Sequence, residues 1–337
     1  MRFSALGDVI LTSPAIEALH AAWPHTRIVF AIKERLAPLV AYNPNVAEVI
    51  SLREGEGPLH FAKRLRVLGP RTAVLDLHGK VRSQLLRALL PVGWRRVVWE
   101  KRSLHQTLTA KLGLGRPRAT ALFADRYHHA VERLVGKALP RGKLRAFVGP
   151  EDVAAAESLL QTHGVDLGRP LLGMSPGARW QTKRWPIERF AELAKTALLN
   201  GVQVVVQGSA EEKALGAAIV QHAPKAVDLC GQLDLGPLGG LIAKCSAFVS
   251  NDSGPMHLAR GLGVPTLALF GSTDPAMFTW EGHAVLFAGL ECSPCSLYGR
   301  AHCPKGHFRC MLDLGPDQAW RSLQGLLATG RQPLLSA

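Results

Sequence analysis

The chain has 337 residues, 47% of them hydrophobic and 20% charged, a length and composition suited to about two domains with cores of their own. Disorder is thereby excluded as the main state, and no uninterrupted apolar stretch reaches the ~18 residues that a membrane-spanning helix requires. The net charge of +14 is unevenly spread: residues 1–150 hold 25 basic and 10 acidic side chains (+15), whereas residues 151–337 hold 15 and 16 (−1). The first half is expected to meet something anionic, whether nucleic acid, a membrane face, or a phosphorylated or carboxylated acceptor. A merely solubilising surface is the plain alternative.

The chain opens with Met1-Arg2-Phe3, interrupted at Gly7 and Asp8 without a small-residue cleavage site, which argues against a secretory signal and for a cytoplasmic location. Only these three residues precede the Ser4-to-Asp8 loop, so the first strand is very short or upstream residues are missing. Apolar runs at 27–32, 72–77, 171–174, 202–207, 247–250 and 266–270 read as buried strands. Amphipathic patterns at 14–22, 186–199, 211–222 and 255–262 read as helices. Such alternation predicts an α/β chain with parallel sheets. A basic, Gly/Pro-dotted stretch from Arg141 to Pro150, followed by a helical pattern over 151–161, marks the connection between domains, taken as residues 1–160 and 161–318.

Two strand–loop–helix junctions in the second half share one design. The strand at 171–174 runs into Ser175-Pro176-Gly177-Ala178-Arg179-Trp180-Gln181-Thr182-Lys183-Arg184-Trp185-Pro186, with Pro186 expected at the first helical position. The strand at 247–250 runs into Asn251-Asp252-Ser253-Gly254, with Pro255 in the same role. Backbone N–H groups at a helix start, beside the carboxyl end of a strand, bind anions. Lys183 adds a positive charge, Ser175, Thr182 and Ser253 add hydroxyls, and Gly177 and Gly254 admit a close approach. Two linked phosphates would engage both helix starts at once. Taken singly, these residues are equally ordinary caps and surface charge. His257, on the first turn after Ser253, would contact phosphate or sugar, mere packing being the alternative, and Glu212, after Gly208-Ser209-Ala210, would accept from ribose hydroxyls or serve as an exposed helix-start carboxylate. There is no P-loop and no G-x-G-x-x-G opening a helix, and Asn251-Asp252-Ser253-Gly254-Pro255 makes no nucleophile elbow, because the first glycine of G-x-S-x-G is missing there.

Four cysteines, Cys292, Cys295, Cys303 and Cys310, crowd together with His302 and His307 between them. That spacing could close a tetrahedral metal site; reduced thiols pinning a loop are the alternative.

Ser4-Ala5-Leu6-Gly7-Asp8-Val9-Ile10-Leu11-Thr12, the Ser175-to-Pro186 loop, Asn251-Asp252-Ser253-Gly254-Pro255-Met256-His257-Leu258-Ala259 and Cys292-Ser293-Pro294-Cys295 occur in that order. Together they resemble the heptosyltransferases of lipopolysaccharide core synthesis, glycosyltransferase family nine, and the second enzyme of that pathway more than the first. The resemblance implies a GT-B architecture of two facing Rossmann-like domains, with a segment at 319–337 crossing back to the first. It implies an inverting transfer in which the second domain takes ADP-heptose as co-substrate and the first takes the anionic lipopolysaccharide core acceptor at the inner face of the cytoplasmic membrane. It places the catalytic base at Asp8, whose plain alternative is a helix-capping carboxylate. Neutralisation of the departing diphosphate falls to Lys183, with Asp252 orienting sugar hydroxyls and no cofactor required. No D-x-D pair is evident to hold a divalent ion. Acceptor anion contacts are expected from Lys80, Arg82 and Ser83, after a strand, and from Arg133; each alone reads as surface charge. Nucleic acid is not expected as a partner, because recognition motifs and base-stacking aromatics are lacking. The rivals are a family member using another sugar nucleotide or a protein acceptor, and a non-catalytic basic module that binds an anionic polymer or membrane.

Overall fold

The computed structural model describes residues 1–100 and 122–329. They form two compact units, one of residues 1–100 and 122–147, the other of residues 148–329. In the first unit the helices are α1 (Leu6–Ile10), α2 (Ser13–Ala22), α3 (Pro38–Ala41), α4 (Pro58–Leu65), α5 (Val81–Leu89) and α6 (Phe123–Val135). Strand β1 (Val29–Lys33) pairs in parallel with β2 (Glu48–Leu52), and β3 (Ala73–Asp76) with β4 (Arg95–Val98).

Met1, Arg2 and Phe3 join these two pairs. The Arg2 N–H donates to the Ala31 carbonyl, and the Leu77 N–H donates to the Met1 carbonyl, each at 3.1 Å. Three residues therefore do a strand's work between β1 and β3. Phe3 continues into the core, where it packs with Phe61 and Leu65 of α4, Leu86 of α5 and Trp94.

The second unit is one six-stranded parallel sheet. Its strands are β5 (Leu171–Ser175), β6 (Gln203–Val206), β7 (Val227–Asp228), β8 (Ala247–Asn251), β9 (Thr266–Phe270) and β10 (Ala284–Phe287), in the order β10-β9-β8-β5-β6-β7. Every residue of β5, β8 and β9 is buried. Coverage on both faces is what gives these strands unbroken apolar sequences. The helices are α7 (Pro150–Thr162), α8 (Ile187–Leu199), α9 (Lys213–His222), α10 (Leu235–Lys244), α11 (Gly254–Gly261), α12 (Arg309–Leu312) and α13 (Pro316–Thr329).

The chain enters this sheet at β5, builds β6 and β7 on one side, then returns to lay β8 on the other, with Ser175 opposite Ser250. The strand order thus reverses between β5 and β8, and a crevice opens at the carboxyl ends of strands where such a reversal occurs.

Helix α7, expected in the first domain, packs in the second unit. A Cβ on Gly240 of α10 would run into the Asp152 carbonyl of α7, so only glycine permits so close a helix pair. Helix α13 places Ala319, Leu323 and Leu326 in the core shared by Leu172, Val249 and Leu267. The remainder of the expected returning segment, residues 330–337, lies outside the described residues. No helix among the described residues is long and apolar enough to cross a membrane.

Candidate functional site

The two turns singled out in the sequence lie side by side, at the switch point between β5 and β8. Asn251, fully buried at the end of β8, ties them together. Its Oδ1 accepts the Trp185 N–H at 3.0 Å and its Nδ2 donates to the Pro176 carbonyl at 2.7 Å, so one side chain spans both ends of the first loop. Trp185, itself 2% exposed, stacks edge-on against Phe190 and donates from its indole to the Leu314 carbonyl at 2.9 Å, which fixes the loop to the core.

Lys183 reaches across to the second turn. Its Nζ lies 2.6 Å from Asp252 Oδ2, which also accepts the Thr273 hydroxyl at 2.7 Å. Burial pushes the Asp252 carboxyl upward, but the charge and hydrogen bond of Lys183, with the Thr273 hydrogen bond, hold it below the usual carboxylate range. Both contacts fall on Oδ2. The helix after this turn is left open at its start: Ser253 occupies the cap position of α11 without a side-chain cap bond, and its hydroxyl turns to Ser250 at 3.0 Å. Backbone N–H groups of the first turn of α11 are therefore available to an anion. Pro255 sits within that turn as expected, but Pro186 occupies the cap position of α8 and not its first helical position.

Glu212 is drawn to the same place. Its Oε2 accepts the Ser209 N–H at 2.8 Å, and its carboxylate lies against Gly177 so closely that a Cβ there would overlap it. The Gly177→Ala change is expected to swing the Glu212 carboxylate out, because the colliding atoms are the far end of a flexible side chain. We expect a stability loss of only about 1 kcal/mol, seen by thermal melting, together with a clear loss of ADP affinity by calorimetry.

Other expected ligands are committed to structure. Ser175 is the buried last residue of β5. The Thr182 hydroxyl lies 3.0 Å from Ser272 Oγ and accepts the Arg300 N–H at 2.8 Å, binding the loop to the cysteine-rich segment. His257 is buried against the Phe278 ring, 4.7 Å between centroids, where burial, then Arg260, lowers its pKa to about 3. It is a neutral imidazole. Beneath it, Arg260 stacks 4.4 Å from the Trp280 ring and donates to the Thr279 carbonyl, which holds the loop between β9 and β10.

Sequence reasoning passed over that loop, although its own rule pointed there. Gly271-Ser272-Thr273 follows strand β9 as Asp252-Ser253-Gly254 follows β8, and Thr273 donates its hydroxyl to Asp252.

The cysteines are all free thiols. Cys310 is buried, its thiol pushed up to about 12 by burial and then by Cys295, Cys303 and Cys292, and Cys292 Sγ lies 3.6 Å from His307 Nε2. Among the described residues no three His, Cys, Asp or Glu side chains gather closely enough to hold a metal ion.

In the first unit, Asp8 is the third residue of α1. Its Oδ2 accepts the Ala5 N–H at 3.1 Å and pairs with Arg2, so the carboxylate caps the helix from inside it. Both contacts again use Oδ2, and the side chain is 29% exposed. Arg2, unmarked by any motif, is buried between the Trp99 and Tyr127 rings at 5.9 and 5.7 Å and donates to the Leu77 carbonyl at 2.6 Å.

The expected acceptor contacts separate. Lys80 and Arg82 are exposed at the start of α5, whereas the Ser83 hydroxyl is buried in a reciprocal bond with the Lys80 backbone at 3.0 Å. Arg133 pairs with Glu100 at 3.1 Å. Arg82 belongs instead to a cavity of about 680 Å³ at the carboxyl ends of β1 and β2, floored by Phe3 and Phe61. Lys33, Arg35 and Arg53 line it too, beside Glu34, Glu54 and Glu56; Glu56 is paired with Arg64, and none of the four cations has a carboxylate within salt-bridge distance among the described residues. Burial, then the charges of Arg82 and Arg35, pull the Lys33 ammonium below its ordinary value, while Glu54 opposes them. The cations therefore converge.

Three imidazoles make stability pH-dependent. Burial leads the fall of His78, His257 and His283 to about 4, 3 and 4, from an ordinary value of 6.5. Below about pH 6.5 the unfolded chain takes up protons that the folded chain refuses, so stability is lost as pH drops toward 4. Melting at pH 5 is expected to lie roughly 5 °C or more below that at pH 7.5, and His283→Phe should narrow the difference.

The family model described as "Glycosyltransferase family 9 (heptosyltransferase)" matches residues 60–301. Lipopolysaccharide heptosyltransferase 2 of Salmonella typhimurium is 29% identical over 96% of this chain and 97% of its own. The glycosyl transferase family 9 structure from Veillonella parvula has a TM-score of 0.79 at 24% identity, covering 97% of this chain and 95% of that one. The E. coli ADP-heptose lps heptosyltransferase II structure has a TM-score of 0.74 at 24% identity, covering 98% and 99%. The α/β fold with two Rossmann-like units is therefore the GT-B class that the motifs implied, and the chain belongs to glycosyltransferase family 9.

Proposed function

We propose that this protein is an inverting glycosyltransferase that moves heptose from ADP-heptose to the inner core of lipopolysaccharide, working as a peripheral protein at the cytoplasmic face of the inner membrane. The observation that carries this reading is the cradle at the β5–β8 switch point. There Asn251 sets two turns together, α11 offers uncapped N–H groups, and Lys183 supplies a cation. Such an arrangement suits a diphosphate, whose growing charge on departure it stabilises without rearranging. Glu212, packed on Gly177, is placed to accept from the ribose, and Asp252 Oδ1 from the sugar. Neutral His257 donates or accepts a hydrogen bond and carries no charge.

Asp8 acts as general base. With Oδ2 held by Ala5 and Arg2, Oδ1 takes the proton of the acceptor hydroxyl, and that oxygen attacks the anomeric carbon from the side opposite the leaving ADP, inverting it. The cavity of Lys33, Arg35, Arg53 and Arg82 anchors the anionic groups of the acceptor. Lys80 is a further exposed cation two residues before Arg82, and Arg133 pairs with Glu100.

Incubation with ADP-heptose and a truncated core acceptor, read by mass spectrometry, tests the proposal: one added heptose is expected, and none would overturn it. Thermal shifts with ADP, UDP and GDP separate the rivals, because bound ligand stabilises the folded state. ADP alone should stabilise. Preference for UDP or GDP would indicate another donor, and no shift at all a non-catalytic module.

A further inference from the structure

We propose that the first turns of α4 and α5 form the surface by which this protein rests on an anionic lipid bilayer. The inference builds on the reading that the acceptor is lipid-borne, and it names the face that meets the lipid. The inward sides of the two helices are spent on the core, through Phe61, Ala62 and Leu65 of α4 and Leu86 of α5. Their outward sides are unusual. Leu59 is 64% exposed, Val81 79% and Leu85 49%, three large apolar side chains in the open.

Cations accompany them. Lys63 and Arg82 are exposed on the same helices, Lys80 immediately precedes α5, and neither PLHFAKRL nor VRSQLLRAL contains a carboxylate. A protein partner is ordinarily met by charges of both signs, whereas an anionic bilayer asks for aliphatic groups to enter the acyl boundary and cations to face phosphate. The two helices have both, and with Glu54 exposed in the loop before α4, the cations Lys63, Lys80 and Arg82 still outnumber the acids.

Continuity with the acceptor cavity supports the same occupant. Pro58 and Phe61 of α4 and Arg82 and Leu86 of α5 line that cavity, so the two helix starts that carry the exposed apolar groups also form its wall. A lipid anchored beside Leu59 and Val81 would present its sugar to Lys33, Arg35 and Arg53 without leaving the membrane.

The opposite ends of the helices provide an internal control. Val67 and Val92 are 81% and 93% exposed, but they follow the last turns of α4 and α5. If exposed apolar surface alone mattered, they would contribute equally.

The test is co-sedimentation of the full chain with vesicles of phosphatidylglycerol and phosphatidylethanolamine, compared with phosphatidylcholine vesicles. The wild type should partition to the anionic vesicles and much less to the neutral ones. The triple variant Leu59→Gln/Val81→Gln/Leu85→Gln should lose on the order of tenfold in partitioning, and Lys63→Glu should weaken it further. Val67→Gln/Val92→Gln should partition like wild type. All variants should transfer heptose normally to a short, water-soluble acceptor, because none of these residues belongs to the catalytic or binding machinery. Equal partitioning of the triple variant and wild type would overturn the proposal, as would a wild type that ignores anionic vesicles yet transfers heptose. Dissociation of a wild-type oligomer by the triple variant, with vesicle binding unchanged, would assign the face to a second copy and overturn it too. Failure of the wild type on the soluble acceptor would sink the heptosyltransferase reading and leave the membrane surface to stand on its vesicle binding.

Discussion

The Asp8→Asn protein is expected to turn over roughly 10² to 10⁴ times more slowly than wild type while binding ADP with unchanged affinity. Asparagine keeps the shape of the side chain and an oxygen to accept the Ala5 N–H, but it cannot take a proton from a hydroxyl. Arg2 loses its ionic partner and is still held by the Leu77 carbonyl and by Trp99 and Tyr127. Because Arg2 is 4% exposed and loses its counter-charge, the stability loss should be about 1–3 kcal/mol. Single-turnover rates with saturating donor, set beside calorimetric ADP titration, separate the two effects. Normal turnover in this variant would move the base elsewhere; weakened ADP binding would show that Asp8 serves the fold and not the proton.

Lys183→Met should injure both stability and binding, for different reasons that a second substitution separates. Asp252 is 7% exposed, and its charge is sustained by Lys183 at 2.6 Å. Removing one member of a buried pair strands the other, at about 3–5 kcal/mol. The ADP affinity should fall about 10- to 100-fold, the range of a lost charge-assisted phosphate contact. In the double variant Lys183→Met/Asp252→Asn no charge is stranded, so most stability should return while ADP affinity stays low. Recovery of both would mean that Lys183 serves only Asp252. The wild-type pair also has a definite acid limit: because the folded carboxyl lies below its unfolded value, its contribution is complete above about pH 4. It disappears as pH falls through the lower, folded value, a region that denaturation at pH 4 and below would probe in wild type and find blunted in the double variant.

Much of the second unit was legible because its chemistry is local. Strands β5, β8 and β9 are buried on both faces, so their sequences are continuous apolar runs, and the turn residues after them fall where the sheet opens. The first unit was harder to read. Strand β4 begins with Arg95, which is exposed, and Arg96, whose guanidinium folds onto the Leu90 and Pro91 carbonyls, and two charged residues mask the strand signal. The cavity of the first unit draws Lys33 and Arg35 from the end of β1, Arg53 from the end of β2 and Arg82 from α5, a convergence that no spacing in the chain announces. Arg133 was singled out by charge alone and proved to be paired with Glu100. Within the motifs themselves, residue type showed that Thr182 and Ser83 carry hydroxyls but not what those hydroxyls hold. Asn251 was quoted as part of a motif without a task, because its two bonds join backbone atoms from a different loop.

Asn251 has one more consequence, for traffic through the site. A receptor assembled before its ligand arrives grips whatever carries the matching group, and the diphosphate belongs to spent ADP as much as to the activated sugar. On the proposed reading, ADP is a competitive product inhibitor, and the rate of sugar addition inside a cell follows the ratio of loaded donor to discharged nucleotide.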